Sequence, residues 1–167
     1  MSDPRIELSN WLAATPLSHT IQSTGWVIPT LQTMHILGVG VLFTSAVLVD
    51  LRVLRLLQRE IRLEVVIHRF LPVIWPLVLF LLITGSLLIV GEPRRSLLNA
   101  TFLLKMALLA LAILLTAVLQ WLVASSALAP ESDRARRVAG QLVASASLLV
   151  WCGIIFAGRW IAYTQAG

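Results

Sequence analysis

The stretch VIWPLVLFLLITGSLLIV, Val73–Val90, contains no charged residue. A helix that crosses the hydrocarbon core of a bilayer needs about 20 predominantly apolar residues, so this stretch predicts a membrane-spanning helix. Three other segments pass the same test. The four predicted spans are Trp26–Val49, Leu63–Val90, Leu98–Val123 and Val138–Tyr163.

The composition of the whole chain agrees with this prediction. Of the 167 residues, 58% are hydrophobic and 13% are charged, whereas soluble domains average about 45–50% and about 25%. A soluble core of this size could not cover so much apolar surface, because small domains have a large exterior. The single cysteine, Cys152, also excludes an intrachain disulfide. We therefore expect an all-α protein, an integral membrane four-helix bundle that forms one domain over residues 1–167.

The arginines predict the orientation of the bundle. Seven lie in the first and third connections and four lie on the opposite side. Because cytoplasmic loops are enriched in Lys and Arg, we expect both termini outside, on the periplasmic face of a bacterial inner membrane. A short amphipathic helix, Ile6–Ala14, is expected at the outer surface with Trp11 in the interface.

The first connection also predicts a basic surface. Its arginines recur at steps of three and four residues, which would place them on one face of a helix at the inner headgroups. They are Arg52, Arg55, Arg59 and Arg62. We interpret them as a topology signal or an anionic-lipid site, and not as a nucleic-acid surface. Asp50 is expected beside them at the inner surface, where Arg52 or Arg55 can pair with it.

Three ionisable residues are predicted at membrane depth in the outer half of the bundle. At a rise of about 1.5 Å per residue, His35 lies roughly 13 Å, Lys105 about 10 Å and Arg159 about 6 Å from the outer ends of their spans. Gln32 shares a helix face with His35 at a spacing of three residues. Ionisable groups at this depth are costly and indicate a functional site. In the inner half, Gln120, Gln141, Ser145 and Ser147 are expected to hydrogen-bond between helices.

Several roles for His35 remain open from the sequence. It can ligate haem b, with Lys105 and Arg159 placed for the propionates and Gln32 beside it. It can bind copper together with the sulfur atoms of Met106 and Cys152. It can also be a neutral histidine hydrogen-bonded to Gln32 or to a neighbouring helix, in a cofactor-free accessory subunit.

Other features limit these hypotheses. His68 lies roughly 14 Å from His35 in depth, so the two are not expected to clamp one haem. No catalytic triad, HExxH motif or phosphate-binding loop occurs, so an enzyme is not predicted. The expected partners are the lipid bilayer and a further copy of the chain or a membrane complex.

The chain resembles known four-helix membrane proteins. His35 in the first span, Arg69-Phe70 at the start of the second, Gly85 late in it and Phe102–Lys105 early in the third resemble the CopD family of copper-resistance proteins. HemJ-type protoporphyrinogen oxidases are similar in layout, with a first-span histidine and a third-span lysine. The first resemblance implies copper handling. The second implies that His35 ligates haem b and that Lys105 is functional, although HemJ-type proteins have a third-span histidine that this chain lacks.

A closer resemblance is to an uncharacterised bacterial family of four-span proteins. It rests on Trp26-x-x-Pro29, His35-x-Leu37-Gly38 and Asp50-Leu51-Arg52 near the start. Near the end it rests on Ala157-Gly158-Arg159-Trp160-Ile161-Ala162-Tyr163. This likeness covers nearly the whole chain and implies the same four-span architecture.

Overall fold

The computed structural model describes residues 3–57, 63–126 and 134–160, and these ranges contain helices and no strands. The predicted all-α class is confirmed. In chain order the helices are α1 Pro4–Ala13, α2 Pro16–Ser23, α3 Val27–Val53, α4 Leu63–Gly91, α5 Pro93–Leu97, α6 Ala100–Ser126 and α7 Arg134–Trp160.

Four of the described helices are long and apolar enough to cross a bilayer, which makes the chain a multi-pass membrane protein. They correspond to the four predicted spans, with shifted ends. The third starts at Ala100 and not at Leu98, because the Asn99 side chain accepts a hydrogen bond of 2.8 Å from the Thr101 backbone N–H and so caps the helix. The fourth starts at Arg134, and Tyr163 lies outside the described residues.

The spans pack mainly as two antiparallel pairs, α3 with α4 and α6 with α7, and α7 joins the pairs by packing on α3. Buried side chains from all four helices form the core: Leu42, Ala46, Ile74, Leu81, Ala112, Trp151 and Ile154. Large apolar side chains such as Leu79, Leu114 and Leu149 are exposed on the outside of the bundle. That distribution suits lipid as the surrounding solvent, because a lipid-facing surface must itself be apolar.

The helices α1, α2 and α5 gather at one end of the bundle, here called the terminal end; the other is the distal end. α1 packs on α5, and α2 packs on the last turn of α4. The Ser18 hydroxyl donates to the Val90 carbonyl at 2.8 Å, and Gln22 Nε2 donates to the Gly91 carbonyl at 3.0 Å. These bonds satisfy carbonyls that the end of a helix leaves without an internal partner.

The N-terminal region differs from the prediction of one amphipathic helix over Ile6–Ala14. The chain forms two helices, because Thr15 caps a new helix that has Pro16 at its first position. Apolar side chains of α1 such as Ile6, Leu8 and Trp11 are all exposed, and α2 has the more one-sided distribution of apolar residues. α2, and not α1, is therefore the amphipathic helix of this region.

The predicted basic helix through Arg52 and Arg55 is wrong over its described part. α3 ends at Val53, and Arg55 has a left-handed backbone with φ of 61°. The Leu56 N–H donates to the Leu51 carbonyl and the Arg55 N–H to the Arg52 carbonyl, both at 3.0 Å. This pair of bonds is a Schellman motif, which ends a helix by turning the chain away from its axis. Arg59 and Arg62 lie outside the described residues.

Candidate functional site

The first polar cluster lies in the half of the bundle nearer the terminal end, and every spanning helix contributes to it. α3 carries His35, α4 carries Thr84 and Gly85, α6 carries Lys105, and α7 carries Gly158 beside Lys105. The cluster, here called the His35 cluster, contains two of the three ionisable residues predicted to share this half.

A hydrogen bond between α3 and α4 sets the protonation pattern of the His35 ring. Nδ1 of His35 lies 2.9 Å from Oγ1 of Thr84. The same hydroxyl lies 2.9 Å from the Phe80 carbonyl oxygen, four residues back on α4, to which it donates. A hydroxyl has a single proton, and Thr hydroxyls within helices commonly donate it to the carbonyl four residues back, so we assign Thr84 as the acceptor of the ring N–H. In the neutral imidazole Nδ1 therefore carries the proton, and Nε2 keeps an unprotonated lone pair.

Small residues make room for the two polar side chains. A Cβ atom at Gly85 would lie 3.4 Å from Cε1 of His35. One at Gly158 would lie 3.8 Å from Cε and 3.9 Å from Nζ of Lys105. Glycine at these positions lets α4 and α7 approach the imidazole and the ammonium group closely.

Lys105 is the charged neighbour of His35. Its side chain is half-buried, and its positive charge acts electrostatically on the imidazole. The cluster thus holds one lone pair and one cation at membrane depth. Such an arrangement can ligate a metal centre or bind an anionic group, because each side chain retains an unused polar function.

A second polar cluster lies toward the distal end. Asp50 is buried, with 2% of its surface exposed, and the Ser147 hydroxyl donates a hydrogen bond to its carboxyl group. Trp75 Nε1 donates to Gln120 Oε1 at 3.2 Å. These two bonds connect α3 to α7 and α4 to α6, and the residues are here called the Asp50 cluster.

The expectation that Asp50 lies at the inner surface is therefore wrong. The last turns of α3 pack on α7, where a Cβ atom at Gly140 would lie 3.7 Å from Val53, and this contact turns Asp50 into the bundle. The prediction that Gln120 and Ser147 bond between helices is confirmed for both residues.

Comparison with known proteins places the chain in a family. Residues 9–164 match the model of a family described as "Family of unknown function (DUF6644)". The chain belongs to this family. No curated protein and no solved structure matches it. The match to DUF6644 extends over all four spans and both clusters. The finer resemblance to CopD and HemJ-type proteins stays a prediction.

The remaining predicted site residues of this DUF6644 member lie on α3, α6 and α7. Gln32 is half-buried one turn before His35, and Arg159 is exposed directly after Gly158. Met106 is 37% exposed and Cys152 is exposed. Within the described residues, no group of three His, Cys, Asp or Glu side chains could hold a metal ion. The side chain of His68 lies outside the described part of the structure.

Thr84 and Trp75 are not among the predicted site residues, and Asp50 is predicted at the wrong place. Thr84 is buried. In the sequence, the sign of a polar contact was a hydroxyl within an apolar span. Asp50 was assigned to the surface because arginines follow it in the chain. Since Asp50 precedes the end of α3 by three residues, it belongs to the apolar span, and a carboxylate there should have indicated a buried site.

Proposed function

We propose that this membrane protein binds haem b through the imidazole of His35. The observation that carries the proposal is the contact of 2.9 Å between Nδ1 of His35 and Oγ1 of Thr84, because a ring that donates there keeps Nε2 as its unprotonated nitrogen. Histidines that ligate metals almost always donate their other ring N–H to a fixed acceptor, which orients the ring and sets its tautomer. Thr84, itself held by the Phe80 carbonyl, is such an acceptor.

The surrounding residues suit the other parts of a haem. Lys105 and Arg159 are cations beside Gly158, and cations form strong charge-assisted bonds with carboxylates such as the propionates. Gln32, one turn before His35, adds an uncharged polar group. When bound, haem b would supply one-electron redox chemistry. The chain itself would hold the iron by one nitrogen and bind the propionates by charge.

An absorption spectrum of the purified protein tests the proposal. The chain is expressed with haem supply and purified in detergent as wild type, His35→Ala and His19→Ala. His19 is exposed on α2 and serves as the matched control, since it removes a histidine outside the spans. We expect a Soret band in wild type and His19→Ala and its loss in His35→Ala. A wild-type protein without a Soret band, or a His35→Ala protein that keeps it, would contradict haem binding at His35.

Copper is the alternative occupant of the same imidazole, with Met106 and Cys152 as its further ligands. Elemental analysis of the same preparations separates the two occupants. Copper that is present in wild type and lost in His35→Ala would replace haem in the proposal, whereas equal copper content would reject the copper site. If neither occupant is present and the protein purifies only with a larger complex, the accessory-subunit hypothesis takes the place of both.

We also propose that both termini face the periplasm of a bacterial inner membrane. Seven arginines in the first and third connections against four on the other side support this orientation. The arginines of the first connection would then face the anionic lipids of the cytoplasmic leaflet. A phosphatase that folds only in the periplasm, fused after Gly167, should be active. An inactive fusion, together with an active one in the connection between α3 and α4, would reverse the topology.

A further inference from the structure

The Asp50 cluster lies against a small internal cavity between α3, α4 and α6. Its polar lining residues are Asp50, Thr116 and Gln120, and the remaining lining is apolar. The cavity has a volume of about 20 Å³, and about 10–15 Å³ is enough to hold one water molecule. A second cavity of about 10 Å³ shares the lining residues Ala46, Ile74 and Thr116 and extends to Trp151 on α7.

Three buried polar atoms at these cavities have no hydrogen-bond partner among the residues that the structure describes. They are Oδ2 of Asp50, Nε2 of Gln120 and Nε1 of Trp151. Both Asp50 and Trp151 are almost fully buried, with exposed fractions of 2% and 3%. Buried polar groups in proteins are almost always paired, with ordered water where no protein partner is present. The unpartnered atoms therefore indicate a polar occupant.

The hydrogen bonds of the cluster identify what each unpartnered atom offers. An indole N–H can only donate, so the bond from Trp75 fixes Oε1 of Gln120 as the acceptor and leaves Nε2 as a donor. The Nε1–H of Trp151 is a second donor. The Asp50 carboxyl already accepts from Ser147, which leaves Oδ2 as the site that accepts a bond or takes up a proton.

An occupant must match this mixture of donors and acceptor. A water molecule can accept from the amide of Gln120 and donate to Oδ2 of Asp50 at the same time. A metal cation suits the cavity poorly, because the N–H dipole of Gln120 would oppose its charge. The Thr116 hydroxyl is engaged with the Ala112 carbonyl at 2.8 Å and can still accept a bond from water.

The groups that face the carboxyl from the packed helices are uncharged: Ile74 on α4, Thr116 and Gln120 on α6, and Ser147 on α7. Among the side chains that the structure describes toward this end of the spanning helices, the other charged ones are arginines outside the cavity lining, namely Arg52, Arg69, Arg134, Arg136 and Arg137. The side chains of Glu64 and His68 on α4 lie outside the described part of the structure. Because a carboxylate buried without a cation is costly, the proton is the charge carrier that this site accommodates best.

We propose that the cavity beside Asp50 and Gln120 holds bound water, and that the Asp50 carboxyl exchanges a proton with solvent through it. In the step a hydronium donates its proton to Oδ2, which turns the carboxylate into a carboxylic acid and leaves a water molecule behind; release is the reverse. Asp50 lies three residues before the end of α3, so the path to the distal surface is about 5 Å along the helix axis.

Infrared spectroscopy of the full chain in lipid nanodiscs tests this proposal. The carbonyl stretch of a protonated carboxyl is followed while the buffer is acidified, in wild type, Asp50→Asn and the control Asp3→Asn. We expect one band that Asp50→Asn loses and Asp3→Asn retains. On transfer to D₂O this band should shift at once, because the bound water lets deuterons reach Oδ2. Spectra that are identical in wild type and Asp50→Asn would overturn the proposal, and so would a band that keeps its H₂O position in D₂O.

A second pair of variants covers the case in which Asp50→Asn does not fold. Gln120→Leu removes the donor that holds the water, and Ser147→Ala removes the donor to the carboxyl itself. Each should shift the same band, and Gln120→Leu should also slow its response to D₂O. Unchanged band positions in both variants would overturn the proposal. Because no haem is needed, the result is independent of the proposed function.

Discussion

Nδ1 of His35 and Oγ1 of Thr84 lie 2.9 Å apart and join α3 to α4 within the membrane-spanning region. The Thr84 hydroxyl is assigned as the donor to the Phe80 carbonyl oxygen at 2.9 Å. With its single proton used there, the hydroxyl accepts a hydrogen bond from the ring N–H of His35. A bond of this kind between membrane helices contributes about 0.6–2 kcal/mol. Its larger consequence is chemical, since it selects one of the two tautomers of the ring.

Thr84→Val should change the ratio of the two neutral tautomers of His35. Valine keeps the shape of threonine but cannot accept a hydrogen bond, so the bias toward the Nδ1–H form, worth about 1 kcal/mol or roughly fivefold, should be lost. Nitrogen-15 NMR of labelled histidine in detergent measures the ratio of the two forms. Thr44→Val is the matched control, because the exposed Thr44 hydroxyl bonds only to the Gly40 carbonyl of its own helix. An unchanged ratio in Thr84→Val would contradict the assigned direction of the bond.

Gly38→Ala should destabilise the contact between α3 and α4. A Cβ atom there would lie 3.0 Å from both Leu81 Cδ2 and Phe80 Cε1, so both of these packed side chains would have to shift by a few tenths of an ångström. We expect a loss of about 1–3 kcal/mol in the free energy of unfolding. Unfolding in a denaturing detergent measures this loss.

Gly40→Ala is the control for that experiment, because a Cβ atom at Gly40 would meet nothing within 4 Å. Alanine favours a helix over glycine by up to about 1 kcal/mol, so this variant should be neutral or slightly more stable. Equal losses in the two variants would mean that helix approach at Gly38 is not the cause.

Ser18→Ala should loosen the attachment of α2 to the end of α4. Ser18 is fully buried, and its hydroxyl is the group that satisfies the Val90 carbonyl. Its removal should cost about 1–3 kcal/mol, since a buried acceptor is left unpaired. Amide hydrogen exchange should become faster across α2. Ser23→Ala removes only an exposed bond to Thr20 and should leave the exchange of α2 before its last turn unchanged.

The start of α1 should loosen in acid. Asp3 caps this helix, and the hydrogen bonds from the side chain and the backbone N–H of Arg5 hold the pKa of its carboxyl below the ordinary value of 3.8. Because the folded pKa is the lower one, the stabilising contribution is complete above about pH 4. It is lost as the pH falls through the folded value. Amide exchange at Ile6 and Glu7 measures this, and Asp3→Asn, a cap that does not titrate, should remove the pH dependence.

The segments that span the membrane could be predicted from apolar stretches such as Val73–Val90, because the length of an apolar stretch alone indicates a spanning helix. The positions of His35, Lys105 and Asp50 along their helices follow from the same count, since each residue adds about 1.5 Å. The end of α3 did not follow, because the Schellman motif at Arg55 depends on a backbone conformation that the arginine spacing does not reveal.

The amino-acid order by itself determined the all-α class, the number of spans and the placement of His35 and Lys105 in the same half of the bundle. Which residues meet depended on the rotation of each helix and on the packing of α3 against α4 and α7. Thr84 could be recognised as the partner of His35, and Ser147 as the partner of Asp50, only after that packing was known. The physical reason is that hydropathy is nearly uniform around an apolar helix in lipid, so it does not indicate which face turns inward.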